Sequence, residues 1–381
     1  MKVVHIISSL VKGGGERVTV ELANKSIENG DDITFVVGWP LAPNLTQNNI
    51  NPKINVEFIS TKKLIAYLKI IPWIIKNWKW INTNDVIHCH LTYGGVFGAI
   101  INLLYSLFSK NKKFIIVETY HAVGMHIPKF NRWFHSKMML FKNGVVFMAR
   151  DFYWDEFTQK HKNLKSIIIP NGISLQNIKK DDNEKNEFVK NLSIPKCKHL
   201  IGTVGMLRPE RRPDFYVTMF KLIKEMFKDD DGIHFILGGD GTEYEKIENL
   251  RIKDKLEDSF HMIGLISDNP CNVISKLDVY ISVSVGNTTG VSMIEAAMCK
   301  VPVIGIQLLE NYKATEKDWV WSHTDLNKVA ERAVFLIDNK KERQKVIDQQ
   351  YNYVVNNLTS DAMYSSYNLF YKEVRKSNLL N

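Results

Sequence analysis

Cysteine is scarce in this chain of 381 residues: Cys89, Cys197, Cys271 and Cys299 are scattered, with no Cys-x-x-Cys pair. That argues against a zinc ribbon or a disulfide framework and suits a reducing cytoplasm. No stretch approaches the roughly 20 apolar residues of a membrane span. The opening "MKVVHIISSLVKGGGER" has too short an apolar run and no small-residue cleavage site for a signal peptide, so it reads as a first β-strand. Internal repeats and low-complexity segments are also missing. The G-x-G-x-x-G fingerprint is not met, because Val18 stands where the third glycine would be, and there is no Walker lysine pattern. No acidic metal motif stands out. What remains is an ordinary globular composition, 45% hydrophobic and 24% charged, in a chain long enough for two domains.

Acidic charge is short in the first half only. Residues 1–171 hold 21 Lys and Arg against 11 Asp and Glu, whereas the remainder holds 29 against 30. Such an asymmetry suggests a negatively charged partner, nucleic acid or an anionic membrane surface.

Strands and helices alternate along the chain. "VVHIISSL", "ITFVVGW", "DVIHCH" and "FIIVETYH" read as strands, and Glu16–Asn29 has apolar residues at helical spacing. "IIPNGIS" at 168–174 looks like a boundary, after which "HLIGTVGML", "IHFILGG", "FHMIGLI", "VYISVSV" and "VPVIGI" repeat the alternation. The expectation is two Rossmann-like parallel-sheet domains facing across a cleft. Residues 1–170 form the first, with a C-terminal helix, 360–381, packing back on it, and 171–359 form the second. Ligands of such sheets sit beyond the carboxyl ends of the strands, so the loops there carry the chemistry.

Three loops qualify. Gly13–Gly15 precede Glu16 and Arg17 where a strand gives way to a helix; glycines let a backbone approach a ligand, and a helix start offers free N–H groups. By itself this is equally a tight turn. "GMLRPERRPD" gathers Arg208, Arg211 and Arg212 at a helix start, where guanidinium forks match phosphate oxygens. "GNTTGVSMIE" sets small residues before a helix that carries Glu295 among apolar neighbours, a costly position unless the carboxylate accepts hydrogen bonds, for instance from paired ribose hydroxyls. His88 and His90 share one strand face; without an evident third metal ligand they read as packing and hydrogen-bonding residues. His121 follows a strand at its carboxyl end and reads as functional.

"GGGER", "TYH" at Thr119–His121, "PNGI" at Pro170–Ile173, "VGMLRPERRPD", "FILGGDG" and "GNTTGVSMIEAAMCKVPVI" are each weak, but their order and spacing make a set. Together they resemble the GT-B glycosyltransferases of family 4, retaining enzymes that use nucleotide sugars, over nearly the whole chain. The resemblance implies a sugar nucleotide, UDP-linked on family frequency, with no metal or other cofactor. It places Gly14, Gly15, Asn287, Thr288, Thr289, Gly290, Val291 and Glu295 on the donor, and Glu16 and Arg17 on the acceptor. His121, Arg208 and Arg211 become the catalytic set: His121 touches the transferring sugar, and the arginines stabilise the leaving diphosphate. Two positions depart from the pattern. Met206 replaces the usual arginine, leaving its charge role to Arg208. Asn287 replaces the first glutamate, and an amide can hydrogen-bond but cannot act as a charged nucleophile.

The first domain is the acceptor side in this family, and its basic charge suits a glycan or polyprenyl-linked acceptor at a membrane. "KKLIAYLKIIPWIIKNWKWI" and "FNRWFHSKMMLFKNG" mix lysines with Trp73, Trp78, Trp80 and other aromatics, a composition suited to an anionic inner leaflet. The expected location is therefore cytoplasmic, peripheral on the inner face of the membrane. No nucleic-acid-binding motif accompanies the basic residues. The rival readings are a catalytically silent binding subunit, favoured by Asn287 and Met206, and a nucleotide-sugar 2-epimerase, for which extra acid–base carboxylates are lacking.

Overall fold

A computed structural model describes residues 1–10, 13–40, 50–109, 111–121, 128–178, 185–194, 197–227, 232–266, 269–284, 290–308 and 319–379. The chain divides into two compact units, Met1–Ile173 with Ser360–Asn381, and Ser174–Thr359.

The N-terminal unit runs β1 (Lys2–Ile7), α1 (Gly14–Glu28), β2 (Asp32–Val37), β3 (Asn55–Phe58), α2 (Lys63–Leu68), α3 (Ile70–Lys76), α4 (Trp78–Ile81) and β4 (Val86–His90). It continues with α5 (Leu91–Phe108), β5 (Ile115–Tyr120), α6 (Lys129–Met139), β6 (Gly144–Phe147), α7 (Phe152–Lys160) and β7 (Lys165–Ile168). The seven strands form one parallel sheet in the order β3-β2-β1-β4-β5-β6-β7. Strands β1, β4 and β5 are almost wholly buried, because helices cover both faces of a parallel sheet.

Helix α5 has 18 residues with a mean hydropathy of 1.5, long and apolar enough by composition to cross a membrane. That corrects the expectation that no stretch would qualify. Its Tyr93, Phe97, Ile101 and Tyr105 are buried in the core with Ile6, Ile87 and Ile116, so this hydropathy is that of a helix packed on a sheet.

The C-terminal unit begins with α8 (Lys185–Asn191), β8 (His199–Val204), α9 (Asp214–Met226), β9 (Ile233–Gly238), α10 (Tyr244–Lys253), β10 (Phe260–Gly264) and α11 (Cys271–Ile274). It goes on through β11 (Val279–Ser284), α12 (Val291–Met298), β12 (Val303–Gln307), β13 (Trp321–His323), α13 (Leu326–Asp338) and α14 (Lys340–Asn357). Its six-stranded parallel sheet has the order β10-β9-β8-β11-β12-β13. Phe220, Phe235, Ile281, Ile304 and Leu336 fill its core. The last helix, α15 (Ser360–Leu379), belongs to the N-terminal unit, where it packs on α1 and β5.

Both sheets reverse their winding once, between β1 and β4 and between β8 and β11. At such a switch point the two loops leaving neighbouring strands diverge to opposite faces and open a crevice. The loops after β1 and β4 therefore mark the candidate site of the first unit, and those after β8 and β11 that of the second.

Candidate functional site

In the C-terminal unit the strand-end loops are laced to one another by backbone hydrogen bonds. Gly205 N–H donates to the Gly238 carbonyl (2.9 Å), Gly239 N–H to Gly264 (2.7 Å), Leu207 N–H to Asp240 (3.0 Å) and Glu243 N–H to Leu207 (3.0 Å). This lacing explains two glycines that the sequence reading passed over as site residues. Gly239 has φ +139°, and a Cβ there would stand 1.8 Å from the Gly205 carbonyl oxygen; at Gly241, φ +157°, it would stand 2.3 Å from that of Leu207. Only glycine allows loops to approach this closely.

On this floor the three arginines separate. Arg212 is held at φ +46° and grips the Asp214 carboxylate with Nε (3.0 Å) and Nη2 (2.8 Å), so its fork is occupied. Its charge in turn holds the Asp214 carboxyl below the ordinary carboxylate range, against the opposing effect of burial. Arg208 is exposed, with only a 4.0 Å approach to Glu210, and Arg211 is exposed at the end of a 3-10 turn, Pro209–Arg211. Both forks can turn to an anion. Met206, where the sequence resemblance implies an arginine, is itself exposed.

Strand β11 lies beside β8, with Val279 opposite Ile201, so its following loop leaves the same end of the sheet. Asn287, Thr288 and Thr289 lie outside the described residues. Gly290 is the N-cap of α12, Val291 its first residue, and Glu295 sits one turn on with 1% of its surface exposed. Tyr280 and Tyr216 fasten this end: the Tyr280 hydroxyl donates to the Val204 carbonyl (2.9 Å), and the Val283 N–H donates to the Tyr216 hydroxyl (3.0 Å).

In the N-terminal unit Gly13 caps α1, and Arg17 N–H donates to its carbonyl (2.9 Å). Around Gly14 there is space, since a Cβ would meet nothing within 4 Å; at Gly15 it would stand 3.2 Å from the His121 ring. The glycine turn and His121 are thus neighbours. Glu16 and Arg17 follow, half-buried, in the first turn of α1.

Behind His121 stands a row of buried imidazoles. His90 Nδ1 lies 3.1 Å from His121 Nε2 and 3.2 Å from Thr19 Oγ1, and His90 Nε2 lies 2.9 Å from His5 Nδ1. His88 has both nitrogens engaged, Nε2 with the Thr119 hydroxyl (2.8 Å) and Nδ1 with Tyr371 of α15 (2.7 Å). Burial pushes the pKa of His5 down to about 3 and that of His121 to about 4, and holds His88 and His90 well below the ordinary value of 6.5. His5 supplies the third nitrogen the sequence reading did not find: His5, His88 and His90 have ligand atoms within 4.8 Å of one another. The hydrogen bonds already made by His88 favour the packing role over metal binding.

Trp73, Trp78 and Trp80 do not form an outward-facing membrane band. Trp73 is buried, donating its indole N–H to Glu57 (2.7 Å) and packing edge-on against Trp80 and Phe97. Trp78 stacks on Tyr105 with centroids 3.9 Å apart. What faces outward in this segment is Leu64, Leu68, Ile71 and Ile75, four, three and four residues apart, amid exposed Lys62, Lys63, Lys69, Lys76 and Lys79. On α6, Phe130 and Trp133 are exposed.

Residues 184–353 match the family model described as glycosyl transferases group 1. An Escherichia coli O-antigen biosynthesis glycosyltransferase, WclY, is 22% identical over 326 residues, covering 80% of this chain and 79% of its own. The E. coli UDP-Gal:alpha-D-GlcNAc-diphosphoundecaprenol alpha-1,3-galactosyltransferase is 21% identical over 324 residues, with the same coverage. Among solved structures, Anabaena HepE in complex with UDP and glucose superposes with a TM-score of 0.76 over 98% of this chain and 100% of that one, at 14% identity. At that identity the likeness speaks for the fold, which is GT-B.

Proposed function

We propose that this chain, a group 1 glycosyltransferase of GT-B fold, moves a hexose from a UDP-sugar to a hydroxyl of a lipid-linked glycan, with retention at the anomeric carbon. One observation carries the reading. At the switch point of the C-terminal sheet, Arg208 and Arg211 are left exposed on a floor of interlocked strand-end loops, at the end of the sheet where α12 carries buried Glu295. A diphosphate suits the arginine forks, and paired ribose hydroxyls suit the carboxylate.

In this reading Gly290 and Val291 offer backbone N–H groups, with Asn287, Thr288 and Thr289, to the sugar and phosphate. Gly14 and Gly15 lie against the donor, His121 touches the transferring sugar, and Glu16 and Arg17 face the acceptor. The acceptor oxygen forms its bond to the anomeric carbon on the face from which the diphosphate departs. The departing diphosphate takes the hydroxyl proton, and Arg208 and Arg211 stabilise its charge. Asn287 keeps a protein nucleophile out of that position. The arginines supply the counter-charge, so the proposal asks for no divalent metal. The relatives named for an O-antigen and for a diphosphoundecaprenol acceptor support a bacterial surface glycan as product. The lysine-flanked Leu64–Ile75 face supports docking on anionic lipid where such an acceptor resides.

Thermal melting with a panel of nucleotides tests the donor. UDP at about 100 times its Kd should stabilise the chain by about 2.7 kcal/mol, lost in Arg211→Ala and Glu295→Ala. A shift with GDP or ADP but not UDP would refute the assignment of the base.

A further inference from the structure

The histidine row has a direction, set at one end by a backbone carbonyl. Thr19 Oγ1 lies 2.8 Å from the Gly15 carbonyl oxygen, which can only accept, so the threonine proton points there. Toward His90 Nδ1, 3.2 Å away, Thr19 therefore presents lone pairs, and His90 carries its proton on Nδ1. Burial keeps these imidazoles neutral. His90 Nε2 is then bare and accepts from His5 Nδ1–H at 2.9 Å.

On the other side, His121 Nε2 sits 3.1 Å from the same protonated His90 Nδ1. A proton on both nitrogens would set two N–H groups head to head. His121 Nε2 is therefore the acceptor, and the His121 proton resides on Nδ1. That Nδ1 is enclosed, has no hydrogen-bond partner among the described residues, and would stand 3.2 Å from a Cβ built on Gly15. The row is held firmly at its centre: His90 ends β4 and caps α5, and Leu91 makes the turn at φ +58°, a left-handed conformation costly for leucine.

We propose that His90 is a positioning residue that, with Thr19, locks His121 as the Nδ1–H tautomer, so that where the glycine turn covering Nδ1 yields to a ligand oxygen, His121 meets it as a hydrogen-bond donor and not as a base. The identity of the ligand, an oxygen lone pair of the bound nucleotide sugar, rests on the function proposed above; the tautomer does not. A fixed donor at this nitrogen favours oxygens that gain negative charge or must be oriented, and it cannot remove a proton from the acceptor.

Long-range 1H–15N spectra of the full chain labelled at histidine nitrogens distinguish protonated from bare ring nitrogens; His121 is assigned by its loss in His121→Gln. Steady-state kinetics with UDP-hexose run alongside. Wild type should show His121 as Nδ1–H. Thr19→Val keeps the shape and removes the anchor: His121 should become a mixture of tautomers, and kcat should fall about tenfold, the scale of one net hydrogen bond, with KM changed by less than about twofold. Thr19→Ser should restore both. His121 found as Nε2–H in wild type, or wholly Nδ1–H in Thr19→Val, overturns the proposal. Absence of turnover in every form would count against the proposed function, while the spectra would still decide the tautomer.

Discussion

Gly14 and Gly239 both serve strand-end turns, and the space around them differs. A Cβ on Gly14 meets nothing within 4 Å, whereas on Gly239 it would strike the Gly205 carbonyl at 1.8 Å. Gly14→Ala should therefore leave the melting curve within about 0.5 kcal/mol of wild type, yet lower transfer about tenfold if a ligand approaches that backbone. Gly239→Ala should destabilise the C-terminal unit by about 3 kcal/mol or more, since strain and overlap act together. Equal melting of the two variants would contradict this. The histidines make a second prediction. His5 titrates at about 3 and His121 at about 4 when folded, against 6.5 ordinarily, so below pH 6.5 the unfolded chain binds more protons than the folded one. The stabilisation is complete above pH 6.5 and is lost as pH falls toward about 3. Melting temperatures of the N-terminal unit should be level near neutrality and drop between those limits; a level profile down to pH 4.5 would argue against neutral buried imidazoles.

At the scale of elements, α2, α3 and α4 show how lysine and tryptophan in one segment mislead. Inward and outward positions are set by three short helices bending over α5, so the tryptophans reach the core and the leucines do not. Trp73→Ala should cost about 3–5 kcal/mol, whereas Leu68→Ser, at a side chain 70% exposed, should cost less than about 0.5 kcal/mol. Leu68→Ser should instead weaken co-sedimentation with vesicles containing anionic lipid; binding that ignores both lipid charge and this substitution would remove the docking face. The sheet-forming runs that end in motif loops were legible because buried parallel strands are long and apolar, as in β1, β5, β9 and β11. The short strands β3, β6, β7 and β13 escaped notice: "NVEF" and "KSII" lie at or toward the sheet edge and carry polar, exposed residues. His5 could not be linked to His88 from sequence spacing, because only the β1–β4 register sets them side by side.

For the whole molecule, the return of α15 to the N-terminal unit has an energetic consequence. Met363, Tyr367, Phe370, Tyr371 and Val374 are buried there, and Tyr371 reaches His88 at 2.7 Å. A chain ending at Thr359 should lose the melting transition of the N-terminal unit while keeping that of the C-terminal unit; two unchanged transitions would contradict the assignment of α15. The strand–helix alternation and the order of strand-end motifs made the two-sheet plan readable, whereas Arg212 could be told from Arg211 only once its fork was seen on Asp214. In the proposed transfer, exposed Arg208 and Arg211, with buried Glu295, hold a diphosphate-linked sugar. Release of UDP from UDP-hexose by the purified chain with EDTA present, with and without a lipid-linked glycan, tests it most directly. Wild type should show acceptor-stimulated UDP release that falls at least about a hundredfold in Arg211→Ala and in Glu295→Ala while folding is retained. Release unchanged in both variants, or none from wild type with any UDP-hexose, would contradict it.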